Sequence, residues 1–100
     1  MSDLKNDSAR AAEIAEILKA LSHPIRLMIV AQLCGGEAHV SDLSERLAVP
    51  QSLVSQQLRI LRMADLVEFR RENGFAVYRL AQPHLVELLH CLESCRAGDN

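Results

Sequence analysis

Between Val49 and Arg62 the chain reads VPQSLVSQQLRILR, a segment whose side chains suit recognition better than catalysis. A glutamine amide offers a donor and an acceptor side by side, which matches the N6 and N7 edge of adenine. The arginine fork matches O6 and N7 of guanine, and serine hydroxyls serve bases or phosphates. On a helix turning about 100° per residue, Gln51, Ser52, Ser55, Gln56, Arg59 and Arg62 share one arc, while Leu53, Val54, Leu58, Ile60 and Leu61 fill the other. Gln57 falls on the apolar side, where its amide is expected to find a local backbone partner. A second chemically able group is the thiols Cys34, Cys91 and Cys95. His90 stands beside Cys91 and His84 two turns below it, within reach of Cys95 only across an antiparallel partner helix.

These residues need elements to hold them. Residues 8–21 place Ile14, Ile17, Leu18 and Leu21 at helical spacing. Ser22 or His23 then offers an N-cap and Pro24 a first-turn residue for the run IRLMIVAQLC, which is apolar nearly all round and stops at Gly35-Gly36. A third helix is expected over 40–47, with Val40, Leu43 and Leu47 inward and His39 as N-cap, Asp42 following three residues on. The AVPQ break leads into a fourth helix from Pro50 to about Ala64. Next, Val67 and Phe69 alternate with Glu68 and Arg70, Asn73-Gly74 supplies a tight hairpin turn, and FAVYRL returns. HLVELLHCLESC makes a last helix.

Two short helices joined tightly, the second bearing the polar arc, read as helix-turn-helix. The hairpin behind carries Arg70, Arg71 and Asn73 at its tip, where cations can straddle a phosphate backbone. The fold expected is mainly α with a β-hairpin wing, a winged helix-turn-helix in the order α-α-α-α-β-β-α, over a single domain 1–100. The polar segments 1–8 and 97–100 are expected to be disordered tails.

Composition is compatible. The 100 residues are 49% hydrophobic and 24% charged, as in globular chains, with no tryptophan, so the core must be aliphatic. Formal net charge is −2, but Arg59, Arg62, Arg70, Arg71 and Arg79 outnumber the intervening acids Asp65, Glu68 and Glu72, giving a local basic surface on an acidic body. The polar start lacks the apolar run of a secretory signal and no stretch approaches membrane-spanning length, so a cytoplasmic location is expected. An odd number of cysteines there implies free thiols rather than a disulfide framework. No nucleophile–base pattern and no Gly-rich phosphate loop is present, so the chain is read as no enzyme. A winged-helix protein-interaction module without DNA binding is the rival class.

LKALSHPIRLMIVAQL, VSDLSERLAVPQSLVSQQLRILRMADLVEFRRENGFAVYRL and the closing helix together resemble the ArsR/SmtB-type winged-helix repressors over about residues 12–95. The resemblance implies a homodimer formed through the first and last helices, bound to double-stranded operator DNA and released by a small inducer: reactive sulfur, an oxidant or a metal. Where arsenic and lead sensors of the family carry Cys-x-Cys, this chain has His39 and Ser41, a poor donor set for a soft metalloid. At the zinc position of the last helix, Gln82 replaces an Asp, His84 keeps a His, Cys95 takes a second His and Gly98 replaces a Glu. Zinc prefers four donors in a closed site. No cofactor is implied with certainty; a zinc or other metal ion on His84, Cys91 and Cys95 is the metal alternative.

Thiol oxidation or persulfidation is the leading sensing chemistry. Cys91 and Cys95 lie one helical turn apart, with His90 and Arg96 to favour a thiolate, and Cys34 is a candidate resolver. Cys34 ends a helix, where the dipole disfavours its thiolate. Family members that sense with a second-helix cysteine carry it at about Ala31, one turn earlier. The bland alternative is that these cysteines are small apolar packing residues.

Overall fold

The computed structural model describes residues 3–96 and Gly98. Its elements are α1 (Ser8–Leu21), α2 (Pro24–Cys34), β1 (Ala38–His39), α3 (Val40–Leu47), α4 (Gln51–Met63), β2 (Val67–Glu72), β3 (Phe75–Leu80) and α5 (Leu85–Glu93). Within the N-terminal segment expected to be disordered, Leu4–Asn6 form a 3-10 turn, and the Asp7 carboxylate accepts from Arg10 N at 3.0 Å to start α1. Of the expected C-terminal tail at 97–100, all but Gly98 lies outside the described residues.

Local chemistry sets the helix ends. His23 is the N-cap of α2, its Nδ1 accepting from Ile25 N at 3.1 Å, with Pro24 in the first turn where no amide is needed. The Asp42 carboxylate accepts from the His39 backbone N–H at 3.0 Å and lies 3.2 Å from His39 Nδ1, closing the start of α3. Its end is a left-handed residue, Ala48, at φ 56°. That bend and Pro50, whose carbonyl accepts from Leu53 N and Val54 N, make the tight connection between α3 and α4. Asn73 and Gly74 both have positive φ (52° and 83°), the type I′ geometry that a two-residue hairpin favours.

β2 and β3 pair antiparallel in the register Val67↔Leu80 through Glu72↔Phe75. The sequence did not signal β1, which adds a third strand on the far side of β3 through Ala38↔Tyr78 and His39↔Val77. Two residues are too few to show a period, yet they tie the end of α2 to the wing.

The core is aliphatic. Ile29, Val30, Leu43, Val54, Leu58 and Leu61 are fully buried, with Leu66 and Val67 almost so. Val54, Leu58 and Leu61 all come from one side of α4, so that helix is seated by its leucine face; truncating such a side chain to Ala typically costs about 2–5 kcal/mol. Ile60, placed by its spacing on the buried arc, is 40% exposed. It sits at the arc's edge beside α1, in a groove with Ile17 and Met63. Among the described residues no helix is long and apolar enough to cross a membrane.

Candidate nucleic-acid interface

Because the leucine face of α4 is turned inward, its opposite face has nowhere to go but out. Gln51, Ser52, Ser55, Gln56, Arg59 and Arg62 are all exposed, and none of the described residues covers the ridge they make. Gln57 differs from expectation. It is 8% exposed, and its partner is no local backbone group: Oε1 accepts from Arg26 Nη1 of α2 at 2.8 Å. Arg26 Nε also donates to Ala20 O at the end of α1, at 2.6 Å. One guanidinium therefore joins α1, α2 and α4. A partner 31 residues away cannot be read from a helical arc.

The wing sorts its cations by face. Strand alternation sends Phe69 and Arg71 to one side of β2 and Glu68, Arg70 and Glu72 to the other. Arg70 donates to Glu37 at 2.6 Å and Glu72 at 2.7 Å, and Arg79 donates to Glu68 at 2.6 Å. The hydrogen bond from Arg70 holds the Glu37 carboxyl below its ordinary range, and those from Arg70 to Glu37 and then Glu72 raise the Arg70 guanidinium's pKa in return. Sequence reasoning grouped Arg70 with Arg71 as a phosphate contact; the structure places its guanidinium among carboxylates on the other face.

On the Phe69 side no described carboxylate pairs with the arginines. Arg62 from α4 lies with its Cζ 5.1 Å from the Phe69 ring centroid, and Arg71 lies 5.7 Å from the same centroid. Arg71 also donates weakly to Gly74 O at 3.4 Å. Arg59, Arg62 and Arg71 take part in no ion pair among the described residues. Asn73 is exposed at the tip. Between the starts of α3 and α4 and the wing tip runs a cleft of about 300 Å³ bordered by Ser41, Gln51, Arg71 and Phe75. The result is an exposed polar ridge flanked by a basic wing face, a layout suited to a helix in a groove with cations on the adjoining backbone.

The thiols lie elsewhere and are all free. Cys34 is half-buried at the end of α2 in a cleft whose α5 residues are Val86, Leu89, His90 and Glu93; neither Cys91 nor Cys95 lines it. Burial pushes the Cys34 thiol up, and the Glu93 carboxylate adds to the shift. Cys91 and Cys95 are exposed. Cys95 lies just past the helix, its Sγ 3.8 Å from the Cys91 carbonyl. His84 is exposed, 3.7 Å from Glu87. Among the described residues no three His, Cys, Asp or Glu side chains converge as metal donors, so one chain's His84, Cys91 and Cys95 do not fit a closed site.

The pattern described as bacterial regulatory protein, arsR family, matches residues 23–68. The biofilm growth-associated repressor of Xylella fastidiosa is 42% identical over 83 residues, which is 83% of this chain and 73% of that protein. This chain belongs to the arsR family. Its elements superpose on those of solved regulators as well. The crystal structure of the transcriptional repressor BigR from Xylella fastidiosa matches with a TM-score of 0.83 at 37% identity, covering 95% of this chain and 99% of that one. The homodimeric winged helix-turn-helix DNA-binding domain of a Mycobacterium bovis regulator matches at 0.77 and 30% identity, covering 93% and 84%. The family match spans α2 through α4 into β2, so it contains the whole ridge of this arsR-family regulator.

The sequence missed Phe69 as a shared seat for two arginines, although its alternation with Arg71 was there to be seen. It also missed Arg26 and Glu37, whose roles arise only from contacts across 31 and 33 residues.

Proposed function

We propose that this chain is a cytoplasmic, non-enzymatic transcriptional repressor that acts as a homodimer paired through α1 and α5 and is released from operator DNA by modification of a thiol. The α4 face of Gln51, Ser52, Ser55, Gln56 and Arg59 reads a major groove, and Arg62 at its end, Arg71 and Asn73 touch the neighbouring backbone. Arg70 stiffens the wing through Glu37 and Glu72. The single observation that carries the DNA reading is the uncovered polar ridge of α4 beside arginines that no carboxylate opposes.

Dimerisation through α1 and α5 is supported by the apolar surface that one chain leaves in water. α1 fully buries Leu21 alone, and Leu18, Met28, Val86 and Leu92 are exposed along α1, α2 and α5. Cys91 and Cys95 are the proposed reacting thiols, because both are exposed, one on α5 and one just past it. Cys34 is a poorer nucleophile and, within one chain, faces α5 residues other than the two cysteines.

The test is a titration of reduced protein against duplex DNA from upstream of its own gene. It is repeated after zinc, arsenite, hydrogen peroxide and a persulfide donor, with the protein's mass measured each time. Tight, salt-dependent binding that weakens only with a mass gain on Cys91 or Cys95 is expected. Absence of salt-dependent duplex binding refutes the DNA reading and leaves the protein-interaction class. Responses unchanged in Cys91→Ser and Cys95→Ser refute the thiol mechanism, and a zinc or arsenite response would move the sensor to metal.

A further inference from the structure

Arg62 ends the reading ridge of α4 and Arg71 sits at the root of the wing tip, yet both guanidinium groups lie within 6 Å of one aromatic ring, that of Phe69. Tyr78 on the paired strand braces that ring, centroid to centroid 5.3 Å. Holding two like charges beside one ring is unfavourable unless something negative offsets their repulsion. The ring's negative face supplies part of that, and it holds each long side chain in a defined place. Among the described residues no carboxylate pairs with either arginine, and the acids of the hairpin, Glu68 and Glu72, lie on its other face. The junction of ridge and wing therefore carries positive charge, which suits an anionic oxygen.

We infer that Phe69 is a positioning residue for DNA binding, its ring pre-setting Arg62 and Arg71 as a paired clamp on one stretch of the phosphate backbone. The inference rests on the DNA-binding reading above. The ring touches no DNA itself. Its contribution is that two flexible arginines no longer have to be immobilised when DNA arrives.

Three consequences separate this role from general support of the fold. Measured on a mixed-sequence duplex of about 30 base pairs, enough for two half-sites, Phe69→Leu binds about tenfold more weakly, the cost of ordering two side chains. The slope of log affinity against log salt stays that of the parent, because both charges still reach phosphates once bound. Arg62→Ala and Arg71→Ala, by contrast, each reduce the slope by about 1. In the Arg62→Ala/Arg71→Ala background, Phe69→Leu has no further effect, and Phe69→Tyr restores parental affinity in the single variant. Should Phe69→Leu fail to fold, the parent alone decides through NMR: the side-chain protons of Arg62 and Arg71 are shifted upfield by the ring current. Parental affinity in Phe69→Leu, an undiminished effect in the double-arginine background, failure of Phe69→Tyr to restore binding, or unshifted arginine protons each overturns the inference. Failure of the parent itself to bind any duplex refutes the DNA reading instead, a result that is told apart at the first titration.

Discussion

Replacing Gln57 by Leu tests whether α4 is held in place by its apolar face alone. The side chain is almost fully buried, and its oxygen receives the Arg26 guanidinium at 2.8 Å. Leucine keeps the volume and deletes the acceptor, leaving Arg26 Nη1 without its partner while Nε stays on Ala20 O. Loss of a hydrogen bond to a charged group costs about 1.5–3 kcal/mol. A net loss of about 2 kcal/mol lowers the melting temperature of a chain this size by about 8–16 °C, at a fixed protein concentration. Arg26→Met should cost a similar amount. The double variant, with both polar partners gone, should recover about 1 kcal/mol of the summed losses. Urea unfolding of the four proteins gives the cycle directly. A Gln57→Leu protein within about 0.5 kcal/mol of the parent, or strict additivity in the double variant, would refute the reasoning that this bond fastens the recognition helix.

Other expectations follow from named contacts. Arg71→Ala should weaken binding to every duplex and lower the salt slope by about 1, whereas Arg70→Ala should leave that slope unchanged; titrations at several salt concentrations distinguish them. Gln56→Ala and Arg59→Ala should instead reduce discrimination between operator and random duplex by about 1–3 kcal/mol, read by competition binding. Asp42 is held below its ordinary pKa by the His39 backbone N–H and then the His39 ring, so its contribution is present above the ordinary carboxylate range and lost as pH falls through the depressed value. Asp42→Asn should therefore lower the urea midpoint at neutral pH and converge with the parent only as pH falls through the depressed value. Alkylation followed by mass spectrometry should label the exposed Cys91 and Cys95 before Cys34, and Glu93→Gln should speed Cys34, since burial first and Glu93 second raise its thiol.

The helices and the hairpin were legible because their signals are local. His23-Pro24, Gly35-Gly36, Pro50 and Asn73-Gly74 mark ends or turns by their own backbone preferences, and the 3.6-residue spacing sorts α4 into its two faces. The polar ridge was legible for the same reason. What escaped depends on distant partners. Arg70 and Arg71 are neighbours in sequence with opposite surroundings, and it takes Glu37, outside the hairpin, to show it. Gln57 looked like a misfit on an apolar arc because Arg26 belongs to another helix. The cysteines looked like one set by type; the packing of α2 against α5 separates Cys34 from the other two.

β1, although only Ala38 and His39, governs how the hairpin can move. It follows Cys34 after a three-residue link and is laced to Tyr78 and Val77, while Glu37 grips Arg70 from the strand beyond. The hairpin is thus anchored along its inner edge instead of swinging from its two ends. The end of α2 and the hairpin are thereby joined through residues 35–39 and the Glu37–Arg70 ion pair, so the two are tied by backbone pairing as well as by side chains.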